Sequence, residues 1–123
     1  MVISKRDRDY YMEENCHIFA LALNEIFGYT MWLLFDEEDE EEITNVAHVF
    51  VEAGKEWLDI EGFKETKNIK DAYYDLDDPT IVAVTKKELF KLVEKDILMP
   101  ITKNELDKAK KIILANKKFF EEK

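Results

Sequence analysis

With 123 residues the chain has material for one hydrophobic core, so a single domain spanning 1–123 is expected. Its 28 acidic against 18 basic residues give a formal net charge of −10, which repels a phosphate backbone and argues against a nucleic-acid partner. One cysteine cannot close an internal disulfide, and no apolar run suits a signal peptide or a membrane span, so a cytoplasmic protein with no membrane partner is expected.

From about residue 13 to Phe27, apolar residues fall on nearly every side of a helix, with Phe19, Leu23 and Phe27 four apart. Such a helix is buried, with Gly28 placed for a left-handed C-terminal cap and Glu14 or Asn15 near its start. "YTMWLLF" then reads as a strand covered on both faces. It ends at "DEEDEEE", the run Asp36, Glu37, Glu38, Asp39, Glu40, Glu41 and Glu42, whose mutual repulsion predicts a solvated loop. "NVAHVFVE" and "EWLDIEGF" flank "AGK" and form a hairpin. "KNIKDAYYDLDD" suggests a short helical turn, and "TIVAV" a fourth strand. Thr85 to Glu88 and Thr102 to Glu105 fit capping boxes, announcing two C-terminal helices over about 86–121 that cover the core. The order predicts an α+β fold, with about four mostly antiparallel strands packed on the buried N-terminal helix.

The chemistry centres on Cys16, which opens that helix. Unpaired N–H groups and the macrodipole at a helix start favour thiolate, although an unassisted cysteine is more often a space-filling residue. A nucleophile needs a base. His17 is adjacent in sequence, so its side chain should point about 100° around the helix and away from Cys16. His48 is the better base. It lies in "VAHVFV", where strict alternation puts it on one face with Val46, Phe50 and Glu52, and Ala47, Val49 and Val51 on the other. A two-residue turn through Ala53 and Gly54, or through Gly54 and Lys55, sets Asp59 opposite His48 or one diagonal step away. A three-residue loop would put Asp59 on the wrong face. In the favourable registers Asp59 orients the imidazole and stabilises the imidazolium formed when His48 takes the thiol proton.

"NCHIFALAL", "HVFVEAGKEWLDIEG" and their spacing resemble the core of transglutaminase-like members of the papain-like superfamily, which include arylamine N-acetyltransferases. The shared pattern is a cysteine opening a buried helix, a histidine on an apolar strand and an aspartate ending a Trp-containing strand. It covers residues 13–62 and carries over Cys16, His48 and Asp59 as catalytic residues of a minimal domain. Asn15 and His17 stand where active members often have Gly or Gln and a Trp. Oxyanion donors are sought in the Cys16 N–H with Tyr10, Tyr11, Asn15 or Asn24.

The resulting expectation is an acyl-transfer enzyme acting on an amide, ester or thioester, with a small-molecule or protein acyl substrate and no cofactor. No chelating pair supports a metal site. The alternative is a non-enzymatic acidic interaction protein, of the kind by which phage products occupy basic clefts of host proteins, with residues 36–42 binding a basic protein partner. Tyr10, Tyr11, Trp32, Trp57, Tyr73 and Tyr74 are candidates for a cleft lining, though aromatics at such spacings are more often core.

Overall fold

The computed structural model describes residues 3–12, 15–36, 46–65 and 79–121. The fold is α+β, with a five-stranded antiparallel sheet. In chain order the elements are α1 (Lys5–Met12), α2 (Cys16–Phe27), β1 (Thr30–Asp36), β2 (Val46–Ala53), β3 (Glu56–Asp59), β4 (Gly62–Glu65), β5 (Pro79–Val84), α3 (Lys86–Glu94), α4 (Lys103–Ala115) and α5 (Lys117–Phe120). The strands lie in the order β4-β3-β2-β1-β5.

Helix α2 is the centre of the main core. Ile18, Phe19, Leu21, Ala22 and Leu23 are at most 1% exposed, so they surround the helix on all sides. Each large apolar side chain buried in this way contributes roughly 1.5–3 kcal/mol. The helix packs on the sheet face carrying Met31, Leu33, Val49, Val51 and Leu58, and α4 closes over it with Ala109 and Ile113. Gly28 ends α2 in the left-handed region, at φ 78°, with its N–H donated to the Asn24 carbonyl. The opposite sheet face carries a smaller cluster of Leu34, Phe50 and Trp57. No helix among the described residues is long and apolar enough to cross a membrane.

Several elements differ from their sequence reading. "EWLDIEGF" holds two strands, because Asp59 pairs with Gly62 across a tight turn at Ile60 and Glu61. An additional helix, α1, precedes α2 and is pinned by Tyr11, which packs on Phe19 and donates its hydroxyl to the Glu105 carbonyl. The C-terminal helix breaks at Asn116, whose amide donates back to the Ile112 carbonyl. Thr85 and Glu88 form the complete capping box. Thr102 accepts from the Glu105 N–H, but the Glu105 carboxylate meets the Thr102 and Tyr10 hydroxyls in place of the cap N–H. Of the acidic run, Asp36 belongs to β1, while residues 37–42 lie outside the described residues, as do Glu14 and 67–78.

Candidate active site

The β2–β3 hairpin turns through Gly54 and Lys55, as shown by the pairing of Ala53 with Glu56, Glu52 with Trp57 and Val51 with Leu58. Continued by one residue, that register sets Asp59 beside Phe50 and diagonal to His48. The side chains meet: His48 Nε2 lies 3.0 Å from Asp59 Oδ2, with His48 1% and Asp59 5% exposed. Asp59 Oδ1 accepts the Glu61 N–H at 2.8 Å, so the β3–β4 turn holds the carboxylate in place. Phe50 stacks beneath the imidazole at a centroid distance of 5.8 Å.

Pairing between β2 and β3 stops at Val51 and Leu58, two residues before Val49 on β2. In an antiparallel ladder alternate residues face the same neighbour, so the Val49 N–H points toward β3 without a strand partner. Cys16 Sγ accepts it at 3.3 Å. The thiol, on the first residue of α2, thus fills the gap where the two strands part.

One extra residue also changes the alternation. Leu34 pairs with His48 but Phe35 with Val46, leaving Ala47 as a bulge. Val46 consequently packs on the main core and Ala47 on the Leu34–Phe50 cluster, the reverse of the strict alternation expected for those two positions.

Burial is the largest influence on Cys16 and opposes ionisation. Hydrogen bonding from His17 and His48, the positive charge of His48 and the Val49 N–H outweigh it and bring the thiol down to about 6. Burial likewise opposes charge on His48, but hydrogen bonds and negative charge from Asp59 and Cys16 raise it to about 9. The state favoured near neutral pH is a thiolate–imidazolium pair backed by a carboxylate.

His17 corrects the helical-wheel reading. It is fully buried, its Nε2 donates to the Met99 carbonyl at 2.8 Å, and its ring lowers the thiol pKa instead of facing away. Together with Cys16, Val46 and the α3–α4 connector Asp96–Met99 it lines a cavity of about 250 Å³. Nothing in the local sequence marks that connector, which reaches Cys16 only through tertiary packing.

The remaining candidates are engaged elsewhere. The Tyr11 hydroxyl is held by Glu105, and Asn24 donates to the Tyr29 carbonyl at the far end of α2. Asn15 precedes Cys16 but donates its amide to the Tyr10 carbonyl at 3.3 Å. Tyr10 and Tyr11 line a separate cavity with Glu105, whereas Trp32 and Trp57 pack together on the other sheet face, so these aromatics form no common cleft. Tyr73 and Tyr74 lie outside the described residues. Among the described residues no group of three His, Cys, Asp or Glu side chains is arranged to hold a metal ion. No family model, curated protein or solved structure matches the chain.

Proposed function

We propose that the chain is a cysteine-dependent acyl-transfer enzyme of papain-like type, with Cys16 as nucleophile, His48 as proton carrier and Asp59 as its orienting carboxylate. The observation that carries this reading is the buried His48–Asp59 contact beside a thiol seated at a helix start. Withdrawing an ionisable pair from water costs several kcal/mol per ion, which apolar packing would avoid. A strongly shifted thiol lining a cavity is characteristic of reactive sites.

In the proposed reaction the Cys16 thiolate attacks the carbonyl carbon of an amide, ester or thioester and forms a C–S bond. The Cys16 and His17 N–H groups precede the first bonds of α2, which run from the Ile18 and Phe19 N–H to the Asn15 carbonyl, and they favour the developing oxyanion. His48 gives its proton to a leaving amine, and water or a second amine then resolves the thioester. Water gives hydrolysis; an amine gives transfer.

The test is alkylation of Cys16 by iodoacetamide across pH 5–10. An apparent pKa of about 6 is expected in the wild type, rising toward the ordinary 9.0 in His48→Ala. Slow alkylation with an unshifted pKa, the same in both proteins, would overturn the proposal.

The net charge of −10 favours a second reading, contact with a basic protein surface. Neutralising residues 36–42 should then abolish salt-sensitive binding to that surface, while Cys16→Ser leaves it intact.

A further inference from the structure

The cavity beside Cys16 has a floor, a wall and a rim of different character. Cys16 and His17, both buried, form the floor, and the exposed Asp96 and Met99 form the rim. Between them lie Val46, Ile97 and Leu98, each half-buried and packed against the main core. The way from solvent to the thiol thus passes aliphatic side chains.

Backbone bonds hold this wall. The Ile97 and Leu98 N–H groups both donate to the Leu92 carbonyl, at 3.0 and 3.3 Å, and the Met99 carbonyl accepts from His17 Nε2 at 2.8 Å. The side chains of residues 97–99 therefore shape the cavity while the main chain keeps its place.

Size and charge narrow what can enter. At about 250 Å³ the cavity falls below the roughly 300–1,000 Å³ of sites for drug-sized ligands. It has room for about eight groups the size of a water molecule, each taking about 30 Å³. An acyl group of about four to six carbons, with its carbonyl oxygen, occupies most of that space. No Lys or Arg is among the described lining residues to pair with an anionic chain, and the Asp96 carboxylate repels one.

We propose that this cavity is the acyl-chain pocket of the Cys16 site, and that its substrate carries an uncharged, short aliphatic acyl group of about four to six carbons. The inference rests on Cys16 being the nucleophile. Sγ bonds to the carbonyl carbon at the cavity floor, and the bond to the leaving group breaks, the electron pair departing with that group. The chain then lies along Val46, Ile97 and Leu98. Each methylene withdrawn from water onto that wall favours acylation by roughly fourfold, until the chain outgrows the cavity.

Acylation by p-nitrophenyl esters tests this, read as the p-nitrophenolate burst and as mass added to the wild type but not to Cys16→Ser. With these donors the C–Sγ bond forms, the ester C–O bond breaks, and p-nitrophenolate leaves without a proton. Rates are taken at pH 7.5 in 0.5 M salt, which screens the long-range field, and are divided by those of N-acetylcysteine thiolate with the same ester. The wild type should prefer butanoate to acetate by about tenfold and lose that gain by decanoate. The adipate monoester, as long as hexanoate but anionic, should react at least about tenfold more slowly than hexanoate. In Leu98→Ala the optimum should move to octanoate. Butanoate no faster than acetate, adipate equal to hexanoate, or an unmoved optimum in folded Leu98→Ala overturns this inference and leaves the nucleophile standing. No ester adding mass at Cys16 overturns both. Should Leu98→Ala fail to fold, the wild-type profile decides.

Discussion

At pH 7.5 the pKa values of Cys16 and His48, about 6 and about 9, place the shared proton on the imidazole. In the unfolded chain, with ordinary values of 9.0 and 6.5, that proton sits on sulfur. Folding therefore shifts a proton within the pair without net uptake. The raised His48 contributes stability that is complete below 6.5 and is lost as pH climbs through about 9. The lowered Cys16 contributes stability that is absent below about 6 and grows until 9.0. Between these limits the changes offset, so the pair should leave the thermal midpoint level to about 2 °C from pH 7 to 8.5. Thermal melts check this. Asp59 is a harsher probe, because Asp59→Ala strands the buried His48 charge and also frees the Glu61 N–H. It should cost about 3 kcal/mol or more in urea unfolding, with Asp59→Asn costing less, and both should raise the thiol pKa.

The elements that aim these side chains are two tight turns and a parting of strands. Gly62 follows the β3–β4 turn at φ 108°, and a Cβ there would stand 2.6 Å from the Phe119 ring. Gly62→Ala thus combines a disfavoured backbone region with overpacking, and should lose about 2–4 kcal/mol while disturbing Asp59 and raising the thiol pKa. Gly28 is the matched control. Its φ is also positive, at 78°, but nothing lies within 4 Å of an added Cβ, so Gly28→Ala should cost about 1 kcal/mol with alkylation unchanged. Urea unfolding and alkylation of both variants test the contrast. These same elements show what sequence could convey. The shared face of His48 and Asp59 followed from a two-residue turn and alternation, because a one-residue slip would have exposed Val51 and Leu58, but the choice between the Ala53–Gly54 and Gly54–Lys55 turns came only from the strand pairing. The Ala47 bulge carried no mark, since "VAHVFV" is apolar enough to satisfy either face. Gly62 did signal a turn inside "EWLDIEGF", yet the run's β-rich composition obscured it. His17 was misplaced because a helical wheel describes one helix alone, whereas the Met99 carbonyl that anchors this ring arrives from a connector some eighty residues away.

Across the whole molecule, α2 packed on the splayed sheet brings Cys16 from the chain's first fifth beside a connector near residue 97, so the cavity exists only in the folded chain. That cavity opens on a protein of net charge −10. A field of one sign concentrates oppositely charged substrates and excludes like-charged ones, and salt screens both effects over a Debye length of about 8 Å at 0.15 M. The exposed carboxylate of Asp96 on the cavity wall acts in the same direction at short range. Two acetate esters of equal reactivity, one with a cationic and one with an anionic leaving group, isolate this contribution. At 20 mM salt the cationic ester should acylate Cys16 several-fold faster at low concentration, and at 0.5 M the two rates should converge. Asp96→Asn should narrow the low-salt ratio, because it removes a negative charge on the cavity wall, while leaving the long-range part. Equal rates at low salt would show that the field does not reach the thiol, and the acidic surface would then belong to protein contact and not to substrate selection.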